Sequence, residues 1–96
     1  MYLEVITPDQ VLFKGEVSSI TLPGKDGSFQ ILKDHAPIIS ALRKGTVTLR
    51  LADGTQTLDH LSSEVILDTS DDKVATVEIL GGVLECQNNL ITILAS

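Results

Sequence analysis

The clearest secondary-structure signal in the chain is the stretch 46–51, which reads Thr46-Val47-Thr48-Leu49-Arg50-Leu51. Its apolar residues occupy every second position, so in an extended strand they share one side while the polar residues share the other. The pattern therefore predicts a half-buried β-strand. The same period recurs in the stretches 2–6, 11–22, 74–80 and 90–95, and β-branched residues are abundant throughout. We expect a protein built almost entirely of sheet.

The stretch 11–22 changes phase in its middle. Phe13 and Val17 fall on one side of the strand, whereas Ile20 and Leu22 fall on the other. Because side chains alternate with a period of two, one extra residue reverses the side that every later residue faces. We expect a β-bulge at Ser18-Ser19.

Turn residues separate these stretches. Asp26-Gly27, Asp53-Gly54 and Asn88-Asn89 tolerate the positive φ that tight hairpins require. Helical spacing is weak and supports at most one short turn of helix after Pro37. Strands joined by hairpins, without crossover helices, indicate antiparallel sheets packed face to face. The sequence predicts an all-β sandwich or flattened barrel that forms a single domain over residues 1–96.

Composition and charge limit the kinds of partner. The chain has 96 residues, of which 43% are apolar, and a formal net charge of -6 with carboxylates scattered along its length. Such a surface does not suit phosphate backbones, so nucleic acid is excluded as a partner. The single cysteine, Cys86, cannot form an intramolecular disulfide and favours a reducing compartment. The start of the chain lacks the pattern of a targeting peptide, and no apolar run is long enough to span a bilayer, so we expect only indirect membrane contact.

The chemistry-bearing residues form no recognisable catalytic or metal-binding arrangement. His35, His60 and Cys86 do not have the spacing of a zinc site. The serines lack the sequence frame that accompanies an activated nucleophile. We assign His60 no role, and Cys86, on the same side as Leu84, is expected to fill the core. The sequence predicts a protein that is not an enzyme and binds no metal or cofactor.

One segment supports an alternative function. Asp71-Asp72-Lys73-Val74-Ala75-Thr76-Val77-Glu78 places a lysine at a predicted hairpin tip, which resembles the modified hairpin of lipoyl carrier domains. An exposed lysine at a tip is accessible to an attaching ligase. Asp and Lys are also common turn residues, and the rest of the lipoyl pattern is missing. A carrier domain modified at Lys73 and an unrelated β-sandwich adaptor are the alternative functions.

A set of short motifs in a fixed order carries a stronger resemblance. The motifs are Leu3-Glu4-Val5-Ile6-Thr7-Pro8, Leu12-Phe13-Lys14-Gly15-Glu16-Val17, Leu22-Pro23-Gly24-Lys25-Asp26-Gly27-Ser28-Phe29, His35-Ala36-Pro37-Ile38-Ile39-Ser40-Ala41-Leu42, Gly81-Gly82-Val83-Leu84-Glu85-Cys86-Gln87-Asn88-Asn89 and Ile91-Thr92-Ile93-Leu94-Ala95. Together they resemble the epsilon subunit of F-type ATP synthases over most of the chain. The specific part of the signal is the joint order of Leu-Pro-Gly, His-Ala-Pro and Gly-Gly-x-Leu-Glu.

This resemblance implies a sandwich of about ten strands in the central stalk of a rotary ATP synthase. There it would dock the gamma subunit to the polar loops of the membrane c-ring and couple ion translocation to ATP synthesis. The implied task is mechanical, because this subunit moves no proton and makes no bond. The implied location is the cytoplasmic face of the bacterial inner membrane, as a peripheral protein, with the plastid stroma as the second choice.

The same resemblance assigns two sets of interface residues. The set expected to face the c-ring is Lys25, Asp26, Gly27, Ser28 and His35. The set expected to face gamma is Ala36, Pro37, Ile38, Ile39, Ala41 and Leu42. A simple turn at Asp26-Gly27 and a structural hydrogen bond from His35 are the alternatives to direct contact. Gly81-Gly82 is expected mainly to serve the fold by admitting a close backbone neighbour.

The chain departs from the family pattern in three respects. Asp34 stands where the family often has glycine before His-Ala-Pro, which affects the backbone conformation or the charge of that loop. Extra length around 62–73 predicts an extended hairpin of unknown function. Family members commonly continue into two helices that restrain ATP hydrolysis or bind ATP, whereas this chain stops at Ala95-Ser96. We therefore expect no ATP binding by that route.

Overall fold

The computed structural model describes residues 1–52 and 58–96, and within these ranges it contains ten strands and no helix. In chain order the strands are β1 Tyr2–Ile6, β2 Val11–Gly24, β3 Gly27–Leu32, β4 Ile38–Leu42, β5 Gly45–Leu51, β6 Leu58–Leu61, β7 Ile66–Leu67, β8 Val74–Ile79, β9 Gly82–Gln87 and β10 Leu90–Ala95. The all-β class is confirmed. The hairpin predicted at Asp53-Gly54 lies outside the described residues.

The sheet is organised around β2, a strand of 14 residues. Its first half pairs with β1 and β6, its second half pairs with β3 and β5, and its last residue pairs with the end of β4. The hydrogen-bonded path runs β1-β10-β9-β4-β2-β5-β8-β7. β2 therefore belongs to both layers, with β4, β9, β10 and β1 on one side of the core and β3, β5, β8 and β7 on the other.

One strand pair differs from the antiparallel arrangement expected from the sequence. β1 and β10 run parallel, with Tyr2 opposite Leu90 and Ile6 opposite Leu94. The two strands are far apart along the chain, so no hairpin turn dictates their direction. Hairpin signals are local, and they could not have predicted this pair.

The bulge predicted in β2 is confirmed. The pairing register with β5 shifts between Val17 and Ser19, and Ser18 is exposed. Phe13 before the shift and Ile20 after it are both buried. The additional residue turns the second half of β2 over, so that both halves contribute side chains to the same core.

The core consists of apolar side chains. Across the described parts of the chain, no polar or charged side chain is buried. Leu84 and Cys86 both point into this core, as the alternation of β9 predicted. Burial raises the pKa of the Cys86 thiol, because loss of solvation disfavours the thiolate.

No helical turn follows Pro37, where the sequence allowed at most one. Ile38–Leu42 forms the strand β4, which pairs antiparallel with β9 from Ile38 opposite Cys86 to Leu42 opposite Gly82. A spacing of four residues fits two repeats of a strand as well as one turn of a helix, so the apolar positions could not separate the two. Pairing with β9 decides between them.

A side-chain hydrogen bond ties β1 to β6. The Tyr2 hydroxyl donates to the Asp59 carboxylate at an O–O distance of 2.6 Å. This bond to Asp59, more than desolvation, raises the pKa of Tyr2 to about 12. A phenol that donates to a carboxylate must break that bond, and face the negative charge of Asp59, when it loses its proton.

The Tyr2 phenol is therefore expected to titrate near the raised value in the folded protein. Between about pH 10 and about pH 12 the unfolded chain has lost this proton while the folded chain retains it, so the free energy of unfolding should fall as pH rises through that window. Asp59→Asn should lower the pH at the midpoint of the Tyr2 titration, whereas Asp72→Asn should leave it unchanged. Tyr2 is the only tyrosine and the chain has no tryptophan, so near-ultraviolet absorbance follows this group alone. A wild-type midpoint at the ordinary tyrosine value would contradict the assignment.

Candidate protein-docking surface

An apolar surface lies on the outer side of the layer formed by β4, β9, β10 and β1. Cross-strand partners share a side of a sheet, and the pairs Ala41–Val83 and Val83–Leu94 continue across three strands. Ile39, two residues before Ala41 on β4, is 73% exposed, Val83 is 45% exposed and Leu94 is 57% exposed. We call Ile39, Ala41, Val83 and Leu94 the apolar face. Adjacent exposed apolar side chains of this kind mark sites of protein interaction.

The centre of the opposite outer surface has a different character. Thr21, Thr48 and Thr76 stand opposite one another on β2, β5 and β8. Large exposed apolar residues on that layer lie at its edges, on β3 and on the two-residue strand β7. The continuous row of apolar side chains therefore distinguishes the β4–β9–β10 side.

The turn between β2 and β3 carries most of the residues predicted to face the c-ring. We call Lys25, Asp26, Gly27 and Ser28 the hairpin tip. The Lys25 N–H donates to the Ala41 carbonyl at 3.0 Å, which fixes the tip against the end of β4. A shallow concavity is shared by the tip, Phe29, Ile39 and Ala41. The hairpin tip and the apolar face thus form one continuous surface.

Positive charge is concentrated beside the hairpin tip. The Arg43 N–H donates to the Pro23 carbonyl at 2.9 Å, which brings the β4–β5 turn next to the tip. Lys25, Arg43 and Lys44 are exposed, and over residues 1–52 and 58–96 none of the three forms an ion pair. This end of an otherwise acidic molecule is therefore suited to contact polar or charged groups.

His35 does not lie with the hairpin tip, so the predicted c-ring set is divided. β3 starts at the tip and runs toward His35, and its six residues span five steps of about 3.3 Å, or roughly 17 Å. His35 lies instead at the end of the molecule where the loop 33–37 meets the β9–β10 turn. Asp34 and Asn89 join these two segments through hydrogen bonds of 2.7 and 2.9 Å. The sequence motif grouped residues that the strand places at opposite ends.

The residues predicted to face gamma are also divided. Ala36, Pro37, Ile39 and Ala41 are exposed. Leu42 is only 7% exposed and belongs to the core, and Ile38 packs against that core. These two side chains face the core and hold β4 in place, because alternate residues of a strand face opposite sides, and only the half-buried Ile38 retains some exposed surface.

Two members of the apolar face were missed by the sequence analysis. Val83 alternates with the inward-facing Leu84 and Cys86, and Leu94 alternates with the inward-facing Ile93 and Ala95. A large apolar residue at an outward-facing position of an alternating strand was the available signal.

The other features singled out from the sequence concern the backbone. Asp34, where glycine was expected, has a φ of 64°, the backbone region that glycine favours. At Gly82, with a φ of 152°, an added Cβ would lie 2.3 Å from the Leu94 carbonyl oxygen, so the close backbone approach predicted for Gly81-Gly82 is present. The segment 62–73 contains β7, which makes only a short hairpin with β8.

The turn that contains Lys73 is not the exposed tip expected for a carrier lysine. Lys73 is half-buried, and its backbone N–H donates to the Asp71 carboxylate at 3.0 Å. That bond, together with Arg50 at 3.2 Å, lowers the pKa of Asp71. Within the described ranges no cluster of side chains could hold a metal ion. None of these residues forms a helix that is long and apolar enough to cross a membrane.

Comparison with known proteins gives a consistent set of relatives. Residues 1–63 match the family model described as ATP synthase, Delta/Epsilon chain, beta-sandwich domain. The ATP synthase epsilon chain of Chlorobium limicola is 48% identical over 54 residues, which are 56% of this chain and 61% of the relative. That of Bordetella petrii is 32% identical over 95 residues, which are 99% of this chain and 55% of the relative. The aligned part is thus less than two thirds of each relative.

The fold also matches a solved structure. A chain in the central stalk and c-ring structure of the Tetrahymena thermophila mitochondrial ATP synthase superposes with a TM-score of 0.67 at 18% sequence identity. The match covers 99% of this chain and 62% of the Tetrahymena chain. At this identity the likeness concerns the fold alone.

Proposed function

This chain belongs to the ATP synthase delta/epsilon-chain β-sandwich family, and from that premise we propose that it is a non-catalytic subunit of the rotor that holds gamma to the c-ring. Its curated relatives are named ATP synthase epsilon chain. In this role the whole chain acts as one domain, and its location is peripheral, at the cytoplasmic face of a bacterial inner membrane. It makes no chemical step and needs no cofactor.

The apolar face is the observation that carries this proposal, and gamma is its proposed partner. Ile39, Val83 and Leu94 are large, exposed and adjacent. Removing such side chains from water stabilises a complex by roughly 1.5–3 kcal/mol for each residue that is fully buried. Glu85, opposite Ile39, supplies a polar rim that orients the partner. Ala36 and Pro37, in the loop that precedes β4, extend the same surface beyond the strand.

The hairpin tip is the proposed contact with the polar loops of the c-ring. It projects from the end of β2 beside Lys44 and Arg43, and its exposed groups are charged or polar. A hydrated loop on the ring needs hydrogen-bonding and charged groups of this kind, since an apolar patch would strip water from it without replacing the hydrogen bonds.

The use of two separate contact sites on one domain explains why a sandwich suits this role. The hairpin tip and the apolar face are both fixed to β4, whose backbone is paired with β9 and, through Gly24, with β2. Close-packed interiors deform little under load. Torque applied at the tip is therefore passed to the apolar face without a flexible connection between them.

A cysteine at Ser28 is expected to crosslink to the loop of the c-ring in the assembled synthase. Ser28 is exposed at the hairpin tip, whereas the natural thiol of Cys86 is buried and reacts slowly, so the product reports on the new position. Ser70→Cys, exposed near β7, is the matched control and should give no crosslink to the ring. Gel mobility and mass spectrometry of the product measure the result. Equal crosslinking from both positions would contradict the proposed orientation.

A further inference from the structure

We propose that the rigid loop 33–37 holds the Nε2 atom of His35 in position to accept a hydrogen bond from a donor group of gamma. This inference rests on the proposed function and adds to it the chemistry of one contact. Sequence motifs had placed His35 with the c-ring residues, and the arrangement of strands favours gamma instead.

The loop is held by a pair of reciprocal hydrogen bonds that we call the clasp. The Asp34 backbone N–H donates to Asn89 Oδ1 at 2.7 Å, and Asn89 Nδ2 donates to Asp34 Oδ1 at 2.9 Å. Both residues have positive φ, 64° at Asp34 and 60° at Asn89. Two bonds between the same two residues fix their relative orientation as well as their distance. The loop therefore enters an interface already ordered, and binding loses less conformational entropy.

The ring of His35 is fixed in a defined tautomer. Its Nδ1 lies 2.6 Å from the carbonyl oxygen of Ala36. A carbonyl oxygen only accepts hydrogen bonds, so Nδ1 carries the proton and donates it. In the neutral ring Nε2 is then the acceptor.

The Nε2 atom is open to a partner. His35 is half-buried. Among residues 1–52 and 58–96, every side-chain nitrogen that is shielded from solvent has a hydrogen-bond partner. Since Nε2 makes no hydrogen bond to those residues, it must reach solvent. A fixed, solvent-facing acceptor on a clasped loop fits a partner group that donates, such as an amide N–H, a hydroxyl, a lysine or an arginine.

Continuity with the apolar face assigns the partner. Pro37 and Ile39 line a shallow concavity together with Gln87 on β9, directly beyond the loop. A protein that covers Ile39 therefore reaches the loop through this concavity, whereas a protein confined to the hairpin tip would first have to cover Ile39, which also borders the tip. The donor that meets His35 is accordingly placed on gamma.

Two substitutions of His35 separate the ring nitrogens. His35→Gln places an amide oxygen near the position of Nε2, whereas His35→Asn places its polar atoms near the position of Nδ1. Calorimetry of each full-length variant with gamma from the same organism should show that His35→Asn binds about tenfold more weakly, because a desolvated donor is left unpaired, and that His35→Gln stays within about threefold of wild type. Equal loss in both variants, or no loss in either, would overturn the inference.

Substitutions in the β9–β10 turn test the clasp. Asn89→Gly removes both clasp bonds while keeping a residue that tolerates positive φ, and Asn88→Gly, with a φ of 54°, is the matched control. Asn89→Gly should weaken gamma binding about threefold and Asn88→Gly should leave it unchanged. Combining Asn89→Gly with His35→Asn should cost less than the product of the two single losses, since both act on one contact. Independent losses would show that Asn89 does not act through His35.

The remaining measurement is the binding of the wild-type protein and the His35→Asn variant to the isolated c-ring in detergent. A loss with His35→Asn confined to the c-ring would overturn the assignment to gamma while leaving the rotor function intact. Wild-type protein that bound neither gamma nor the c-ring would instead refute the proposed function, and this inference would fall with it.

Discussion

Replacing Gly82 by alanine is expected to lower the free energy of unfolding by about 4 kcal/mol, a large part of the stability of a domain of this size. The new Cβ would lie 2.3 Å from the Leu94 carbonyl oxygen and 3.0 Å from the Ala95 Cα, and both are backbone atoms that cannot rotate away. Residue 82 also has a φ of 152°, which costs a residue with a side chain about 1–3 kcal/mol. Relief of the clash requires β10 to move, although it pairs with both β9 and β1.

Gly27→Ala separates the clash from the backbone strain. Gly27 has a φ of 138° but no atom within 4 Å of an added Cβ. This variant should be destabilised only by the backbone strain, about 1–3 kcal/mol. Urea unfolding of both variants, followed by circular dichroism, measures the difference. If Gly82→Ala were no less stable than Gly27→Ala, the close approach of β9 and β10 would not be a determinant of the fold.

Ile39→Glu is expected to weaken the proposed complex with gamma by at least about 100-fold while leaving the fold intact. Ile39 is 73% exposed, so a charged side chain is well solvated in the free protein. In the complex the same carboxylate would be taken out of water without a partner, which costs several kcal/mol beyond the lost apolar contact. Surface plasmon resonance with immobilised gamma measures the affinity, and the thermal midpoint verifies the fold.

Ile66→Glu is the matched control for this prediction. Ile66 is 64% exposed on β7, at the edge of the other layer, and it receives the same change of side chain. It should bind gamma with wild-type affinity. Loss of gamma binding in the Ile66 variant, with the Ile39 variant unaffected, would place the interface on the opposite layer.

The sequence was sufficient for the features that depend on neighbours along the chain. The alternation of apolar residues predicted the strands, and the change of phase between Val17 and Ile20 predicted the bulge in β2. Asn88 and Asn89 predicted a tight turn, and both adopt positive φ. In each case the cause is local, because side-chain period and turn geometry are properties of a few consecutive residues.

The features that the sequence could not predict depend on pairing between distant segments. The conformation of β4 is decided by β9, and the parallel direction of β1 is decided by β10. The candidate site shows the same limit. Leu42 and Ile39 lie in one motif, yet alternation sends Leu42 into the core and leaves Ile39 in solvent. His35 and Lys25 lie ten positions apart in the sequence, and the length of β3 sets them at opposite ends.

The parallel pairing of β1 with β10 also sets the order in which the strands of the sandwich can pair during synthesis. Residue 90, where β10 begins, follows Ile6 by 84 positions, so at a synthesis rate of about 5–20 residues per second β1 waits for about 4–17 seconds before its neighbour has been translated. During that interval one edge of β1 is unpaired on the ribosome, a period in which an exposed strand is prone to aggregation. β2 follows β1 by only a few residues and can cover the other edge early, which leaves β10 to close the sandwich.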